Sequence, residues 1–379
     1  MSKKRILVVG STSTSLINFR GDFIQNLIDN NYEVFTAAGH FKEETLTTLK
    51  EDYGVTPLTY RLQRTGLNPF DDLKTISDLK KIIKKNKIDL VFPYTVKPVI
   101  YSSMAANSCG VPVISLITGL GFTFTGLTLK AKILQRVNEL LYKRSIRKNK
   151  AVVFQNKDDR DLFLRRNILK DRSKIEVVSG SGVNLERFKF KEKYNKDNKV
   201  SFLLTARLIK EKGIALYINA AKVLKKQYPD AEFHVIGPAQ TSPSAIKLEE
   251  LEKHNEEGTL IWHGHQSNIV EHLTNRDVFV LPSYYREGVP RSILEALSVG
   301  LPIITTDSPG CRETVIEGEN GFLIPPQRLE ELVKSMKFFL EHPQKIEEMG
   351  RNSRKYAEER FDVNIINADL LRIIDSVLK

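Results

Sequence analysis

Val278-Phe279-Val280-Leu281-Pro282-Ser283-Tyr284-Tyr285-Arg286-Glu287-Gly288-Val289-Pro290-Arg291-Ser292-Ile293-Leu294-Glu295-Ala296 runs from four apolar residues through a Gly/Pro loop into an amphipathic segment. That order predicts strand, turn and helix, with Pro290 giving up one amide donor and pre-shaping the helix entrance. The alternation continues on both sides. Strands are predicted at 201–205, 232–236, 260–263, 302–306 and 321–324, and helices at 213–226, 292–299 and 329–340. In the first half, branched apolar runs at 6–10, 34–38, 55–60, 89–94, 113–117, 151–155 and 175–178 enclose helix-like segments such as 19–28 and 73–85. Short buried strands alternating with helices predict an α/β fold of parallel βα units, with chemistry on the loops at the carboxyl ends of the strands.

Residues 183–200 break this rhythm with a charge-rich stretch, which puts a domain boundary near 184–199. The expected organisation is a first domain at 1–190, a second at 191–360 and a terminal helix at 361–379 returning to the first. A chain of 379 residues accommodates two such domains, and 41% hydrophobic with 27% charged residues excludes a disordered, collagen-like or membrane-embedded protein. The net charge of +12 points to anionic partners without choosing among them. Cys109 and Cys311 form no CxxC pair, so neither a disulfide framework nor a thiolate zinc site is expected. The basic start lacks a signal-peptide core and no apolar stretch approaches 20 residues. A cytoplasmic protein is expected, with attachment to a membrane face left open.

Two constellations carry chemistry. Arg207 and Lys212 follow the 201–205 strand and precede a helix, an arrangement that lets a guanidinium fork and an ammonium meet one diphosphate. Glu287 and Glu295 lie eight residues apart across the Gly288-Val289-Pro290 turn, where carboxylates can accept from sugar or ribose hydroxyls. The plain alternative for each is a solvent-facing charge. Near the amino end, Asn18 and Arg20 sit close to a helix entrance, and Thr118-Gly119-Leu120-Gly121 follows another strand; both are candidates to touch a second substrate. Residues 130–150 hold eight cations, Lys130, Lys132, Arg136, Lys143, Arg144, Arg147, Lys148 and Lys150, against Glu139, a net +7. Ile133, Val137, Leu140, Leu141 and Tyr142 recur there close to helical spacing. The starting expectation is a helix with a core-facing stripe and a basic back, which also suits an anionic lipid surface.

Arg207, Lys212 and the Glu287 to Glu295 string resemble the donor site of family 4 glycosyltransferases, and the layout is similar over nearly the whole chain. Ile17-Asn18-Phe19-Arg20 and Thr118-Gly119-Leu120-Gly121 are similar to bacterial members that extend lipid-linked glycans. The resemblance implies the GT-B architecture, two Rossmann-like domains facing a cleft, and a retaining transfer without a catalytic metal. It implies a UDP sugar as donor, carrying a hexose or N-acetylhexosamine such as N-acetylgalactosamine. The acceptor would be a polyprenyl-diphosphate-linked saccharide at the cytoplasmic face of the inner membrane, with no nucleic-acid partner. By correspondence Arg207 and Lys212 contact the donor diphosphate, Glu287 fixes the transferred sugar and Glu295 the ribose, while Gly288, Val289 and Pro290 shape the pocket. Arg207, Lys212 and Glu287 are the catalytic candidates. Asn18, Arg20, Thr118 and Gly119 would meet the acceptor. Many family members carry histidine where this chain has Thr118, which argues against an obligatory histidine base and for proton transfer assisted by the leaving diphosphate.

His263 and His265 are separated by one residue, but no DxD or zinc-like pattern accompanies them, so no metal is expected and His265 is read as a border of the nucleotide pocket. The competing readings are a capsule or O-antigen glycosyltransferase using another nucleotide sugar, and a nonenzymatic nucleotide- or sugar-binding protein.

Overall fold

The structure is a computed structural model and describes residues 3–63, 68–121, 124, 129–192, 199–240 and 244–379, apart from the side chains of 129–131. The chain divides into two compact units, Met1–Ser181 with Val363–Lys379, and Gly182–Asp362. The division falls just ahead of the charge-rich 184–199 stretch.

The first unit contains β1 (Arg5–Val9), α1 (Ser13–Asp29), β2 (Glu33–Ala38), α2 (Glu43–Thr47), β3 (Thr56–Thr59), α3 (Pro69–Lys85), β4 (Leu90–Pro93), α4 (Val96–Ser108), β5 (Ile114–Ile117), α5 (Leu129–Ser145), β6 (Ala151–Phe154), α6 (Lys157–Arg165) and β7 (Ile175–Val177). All its ladders are parallel, in the orders β3-β2-β1-β4 and β5-β6-β7, and isolated bridges Val91–Val113 and Tyr94–Leu116 join the two sheets. The order reverses between β1 and β4. One face packs α3 to α6 through Leu79, Ile83, Val99, Tyr142 and Phe163. The opposite face packs α1 through Leu16, Phe23 and Ile24 against Ile366, Leu370, Ile373 and Ile374. Each fully buried aliphatic of this kind stabilises by roughly 1.5–3 kcal/mol. The Tyr32 hydroxyl adds a 2.5 Å bond to Asp375.

The second unit contains β8 (Ser201–Thr205), α7 (Ile214–Lys225), β9 (Glu232–Ile236), α8 (Leu248–Glu256), β10 (Ile261–Trp262), α9 (Ile269–Thr274), β11 (Val278–Leu281), α10 (Arg291–Ser298), β12 (Ile303–Thr306), β13 (Gly321–Ile324), α11 (Leu329–Glu341) and α12 (Lys345–Arg360). The last helix, α13 (Val363–Leu378), belongs to the first unit and supplies its Ile366 to Ile374 face. The second sheet is one parallel array, β10-β9-β8-β11-β12-β13, whose order reverses between β8 and β11.

Two helices start earlier than their apolar spacing predicts. Helix α1 begins at Ser13 rather than near Phe19: Thr12 adopts the extended N-cap conformation and the Ser15 hydroxyl donates to its carbonyl at 2.7 Å. Helix α3 begins at Pro69 because the Asn68 side chain accepts from the Phe70 amide and proline suits the first helical position.

A histidine cluster sits behind β9. His234 is buried and its Nδ1 lies 2.9 Å from His263 Nε2, its Nε2 3.1 Å from Glu232, while the His272 ring centroid is 4.9 Å from that of His263. Burial pushes His234 down to about 4, Arg276 and His263 acting in the same direction and Glu232 opposing. Burial, His272 and Arg276 also lower His263. The unfolded chain therefore takes up these protons first. Stability is intact above the ordinary histidine value of 6.5 and drains as the pH falls towards 4. The loss from His234 reaches at most about 3 kcal/mol. Denaturant unfolding followed by the single tryptophan, Trp262, should weaken across this window, and His234→Gln should flatten the slope. Equal slopes in the two proteins would assign the acid sensitivity elsewhere.

Candidate active site

The reversal between β8 and β11 leaves a crevice at their carboxyl ends, the position where open parallel sheets bind ligands. Beyond Thr205 the chain passes Arg207, makes one tight turn at Lys210–Lys212 and enters α7 through Gly213. Beyond Leu281 it forms the 282–290 loop and enters α10. The two loops are tied through one carbonyl: Glu211 O accepts from the amides of Tyr284 (2.9 Å) and Tyr285 (3.1 Å) and from the Ser283 hydroxyl (3.3 Å). Gly213 has φ +77°, and a Cβ there would lie 2.1 Å from the Pro282 carbonyl oxygen. Strand β12 closes the other side. The Thr306 hydroxyl donates to Ser283 O, the Ser308 hydroxyl reaches the same oxygen at 3.2 Å, and Thr305 bonds Leu281 O at 2.7 Å. Gly310, φ +80°, backs onto the Glu287-Gly288 peptide, where a Cβ would stand 2.0 Å from Gly288 O.

This frame brings Arg207, Lys212 and Glu287 together. The Lys212 ammonium donates to the Glu287 carboxylate, their side chains 10% and 13% exposed, and the Ser283 hydroxyl lies 3.3 Å from the same carboxylate. Tyr285 lies beneath both cations: Arg207 Cζ is 5.6 Å and Lys212 Nζ 5.8 Å from its ring centroid. Glu295 lies within α10, largely enclosed, and accepts from Arg291 Nε at 3.1 Å. Burial raises its carboxyl above the usual range, opposed by Arg291 and Arg187. Gly288, Val289 and Pro290 are buried at the entrance to α10, with Pro290 extended as its N-cap. Cys311 is buried close by, its thiol raised by burial and by the Glu287 charge. The arrangement can offer an anion two cations and offer hydroxyls a carboxylate. A cavity of about 350 Å³ backs onto Gly213 and Pro282 from the Lys210, Glu250 and Gln327 side and contains none of the predicted site residues.

His265 is exposed beyond β10, two strands from β8; the preceding Gly264 carbonyl accepts from the Gly237 amide at 2.9 Å, and His263 turns inward to His234. Among the described residues no group of three His, Cys, Asp or Glu side chains is arranged to hold a metal ion.

In the first unit the reversal between β1 and β4 creates a second crevice. The Ser11 and Thr95 hydroxyls are 2.6 Å apart, and Thr95 holds φ +68°, a strained value for a β-branched residue. The Lys97 ammonium, absent from the sequence reading, donates to Gln63 O at 2.6 Å and lies 3.9 Å from Asp72. Thr118 and Gly119 directly follow β5, the next strand along, with Gly119 at φ +100°. Asn18 and Arg20 lie inside α1 rather than at its entrance, since that helix starts at Ser13. Asn18 faces solvent. Arg20 is buried, with its guanidinium 5.4 Å from the Tyr94 ring centroid.

Helix α5 departs from the expected stripe. Tyr142 and Ser145 are buried, as is Ile146 just beyond the helix, whereas Ile133 and Leu140 are 57% and 65% exposed. At ~100° per residue, positions 133 and 140 lie about 180° from 142, so the apolar residues serve two faces. Lys132, Arg136, Lys143, Arg144, Arg147 and Lys148 are exposed; the side chain of Lys130 lies outside the described residues. Among the described residues no helix is long and apolar enough to cross a membrane.

Known proteins match this arrangement along its whole length. Residues 5–156 fit the family model for glycosyl transferase 4-like proteins and residues 186–356 that for glycosyl transferases group 1. The chain is 30% identical to the N,N'-diacetylbacillosaminyl-diphospho-undecaprenol alpha-1,3-N-acetylgalactosaminyltransferase of Campylobacter jejuni subsp. jejuni serotype O:2, over 99% of each protein. It is 29% identical to the UDP-Gal:alpha-D-GlcNAc-diphosphoundecaprenol alpha-1,3-galactosyltransferase of Escherichia coli, over 70% of each. Among solved structures, Anabaena Alr3699/HepE in complex with UDP-glucose superposes with a TM-score of 0.78 at 18% identity, covering 98% of this chain and 99% of that one. Two Rossmann-like units, both family matches and a full-length relative together make this chain a member of the family 4, group 1 glycosyltransferases, enzymes of the GT-B fold.

Proposed function

We propose that this glycosyltransferase moves a hexose or N-acetylhexosamine, with retention of anomeric configuration, from a UDP sugar to a polyprenyl-diphosphate-linked saccharide. The observation that carries the reading is the joint placement of Arg207, Lys212 and Glu287 where the second sheet reverses. N-acetylgalactosamine is the first sugar to test, because the Campylobacter relative is named for it. A UDP donor is supported by the UDP-glucose complex of the Anabaena structure.

In this mechanism the bond between the anomeric carbon and the donor phosphate oxygen breaks as the acceptor hydroxyl attacks from the same face. The hydroxyl proton passes to the departing diphosphate. Arg207 and Lys212 stabilise the charge that grows on that leaving group, a preorganised effect that acts mainly in the transition state. Glu287, held by Lys212 and Ser283, accepts from hydroxyls of the transferred sugar. Glu295 accepts from the ribose, and Gly288, Val289 and Pro290 bring backbone close to the donor. Thr118 and Gly119 at the β5 end, with Asn18, contact the acceptor. Buried Arg20 acts through Tyr94, whose hydroxyl lies 2.7 Å from Ser15 Oγ. The exposed Ile133 and Leu140, flanked by the α5 cations, bind the anionic cytoplasmic surface that carries the acceptor.

A panel of labelled UDP sugars with polyprenyl-diphosphate saccharides tests the whole reading, and nucleotide binding without acceptor-dependent product would overturn it. Arg207→Ala should lower kcat/KM by roughly 10²–10³ while leaving Tm nearly unchanged. Undiminished turnover and UDP affinity would remove Arg207 from the donor site.

Glu295→Gln should weaken UDP more than 2'-deoxy-UDP, narrowing the preference between them in calorimetric titration. An unchanged preference would exclude the ribose contact.

Ile133→Ser/Leu140→Ser should reduce co-sedimentation with phosphatidylglycerol vesicles roughly tenfold without altering turnover of a short-chain soluble acceptor. Full retention on vesicles would discard α5 as the membrane contact.

A further inference from the structure

Tyr285 stands at the meeting point of the two cations in the candidate donor site. Its backbone is fixed, the amide shared between Glu211 O at 3.1 Å and Ser283 Oγ at 3.2 Å. Its half-buried ring centroid lies 5.6 Å from Arg207 Cζ and 5.8 Å from Lys212 Nζ. The two cations are otherwise unlike. Lys212 is buried and ion-paired to Glu287. Arg207 is exposed, and among the described residues the partner of its guanidinium is the Tyr285 ring.

An exposed arginine samples many rotamers, and ordering it on a ligand costs free energy that a preorganising contact offsets. An aromatic face supplies that contact without neutralising the charge, because its quadrupole attracts a cation and leaves the N–H donors available. A carboxylate in the same place would hold Arg207 more tightly and compete with an incoming phosphate. The same ring lies near both cations, so it ties the position of Arg207 to that of Lys212.

We propose that Tyr285 is a positioning residue that sets Arg207 against Lys212 so that a nucleoside diphosphate, rather than a monophosphate, is the preferred anion. The proposal rests on the reading of Arg207 and Lys212 as diphosphate ligands. The role belongs to the ring face and not to the hydroxyl. Tyr285→Phe should therefore keep donor affinity and kcat within about twofold of the parent. Tyr285→Leu, with the ring gone, should weaken UDP roughly fivefold and UMP less than twofold.

The experiment is calorimetric titration of UDP and UMP against the full-length parent, Tyr285→Phe, Tyr285→Leu and Arg207→Ala. Steady-state kcat and KM are measured on the same preparations. The expected pattern is a UDP-over-UMP preference kept by the Phe variant and cut in the Leu variant, with KM for the donor rising more than kcat falls. If Tyr285→Leu does not fold, phenylalanines bearing one to three ring fluorines at 285 should lower UDP affinity stepwise at nearly constant shape. An unchanged preference in Tyr285→Leu or in the fluorinated series, with Arg207→Ala losing it, would overturn the positioning role alone. Equal losses in the Phe and Leu variants would move the effect to the hydroxyl and overturn it as well. A preference that survives in Arg207→Ala would instead overturn the diphosphate reading beneath it.

Discussion

One backbone carbonyl organises the candidate site of the second unit. Glu211 O takes two amides and one hydroxyl from residues 283–285, locking the turn after β8 to the loop after β11. Those loops are 72 residues apart along the chain and become neighbours only because the parallel sheet reverses its order between the two strands. The approach is close enough that Gly213 tolerates no Cβ, since one would stand 2.1 Å from Pro282 O. Loosening that contact would separate Lys212 from Glu287 and Arg207 from Tyr285 together. The charged cluster thus depends on a backbone constraint that contains no charge.

The Lys212–Glu287 pair is nearly enclosed, so its value does not lie in net stabilisation. Desolvating two charges offsets much of their attraction, and replacing such a pair by apolar residues is often neutral. Removing one partner is a different matter, because it strands the other charge away from water at a cost of roughly 3–5 kcal/mol. The pair therefore resists single changes while keeping an ammonium and a carboxylate at fixed positions. Cys311 lies in the same dry setting, and its raised thiol makes it a small packing group rather than a nucleophile.

Much of this organisation was legible in the chain. Strands at Ser201–Thr205, Glu232–Ile236, Val278–Leu281 and Gly321–Ile324 match the predicted runs residue for residue, because largely buried parallel strands read as short, continuous apolar runs. The start of α1 was not legible: Ser13, Thr14 and Ser15 read as turn formers, and only the local bond from Ser15 to Thr12 O shows them as a first helical turn. Helix α12 escapes the apolar pattern because its buried contacts include Gly350 and Ser353 beside Ile346, Met349 and Ala357. At the site, Arg207, Lys212 and Glu287 were each legible as types suited to phosphate or sugar. Tyr285 was not, since a cation–π contact has no sequence period and needs the fold to set the ring under its cations. On α5, spacing alone could not separate the packed residues from the exposed ones, because Ile133 and Leu140 differ from Tyr142 in direction and not in chemistry.

The net charge of +12 divides into two physically different kinds of cation. Arg207 and Lys212 are few, held by a ring and a carboxylate at the end of a buried sheet, and their geometry is specific. The described α5 cations, Lys132, Arg136, Lys143 and Arg144, are exposed, and they flank apolar side chains that solvent does not favour. Fixed cations discriminate between anions by shape, and salt weakens them little where water is excluded. Diffuse cations respond to surface potential, and their attraction fades beyond about 8 Å at physiological ionic strength. A binding function that combined both would show two salt dependences, steep for a charged surface and shallow for a nucleotide. That separation follows from the enclosure of Lys212 and its carboxylate partner, so it distinguishes the two roles before any sugar or lipid has been identified.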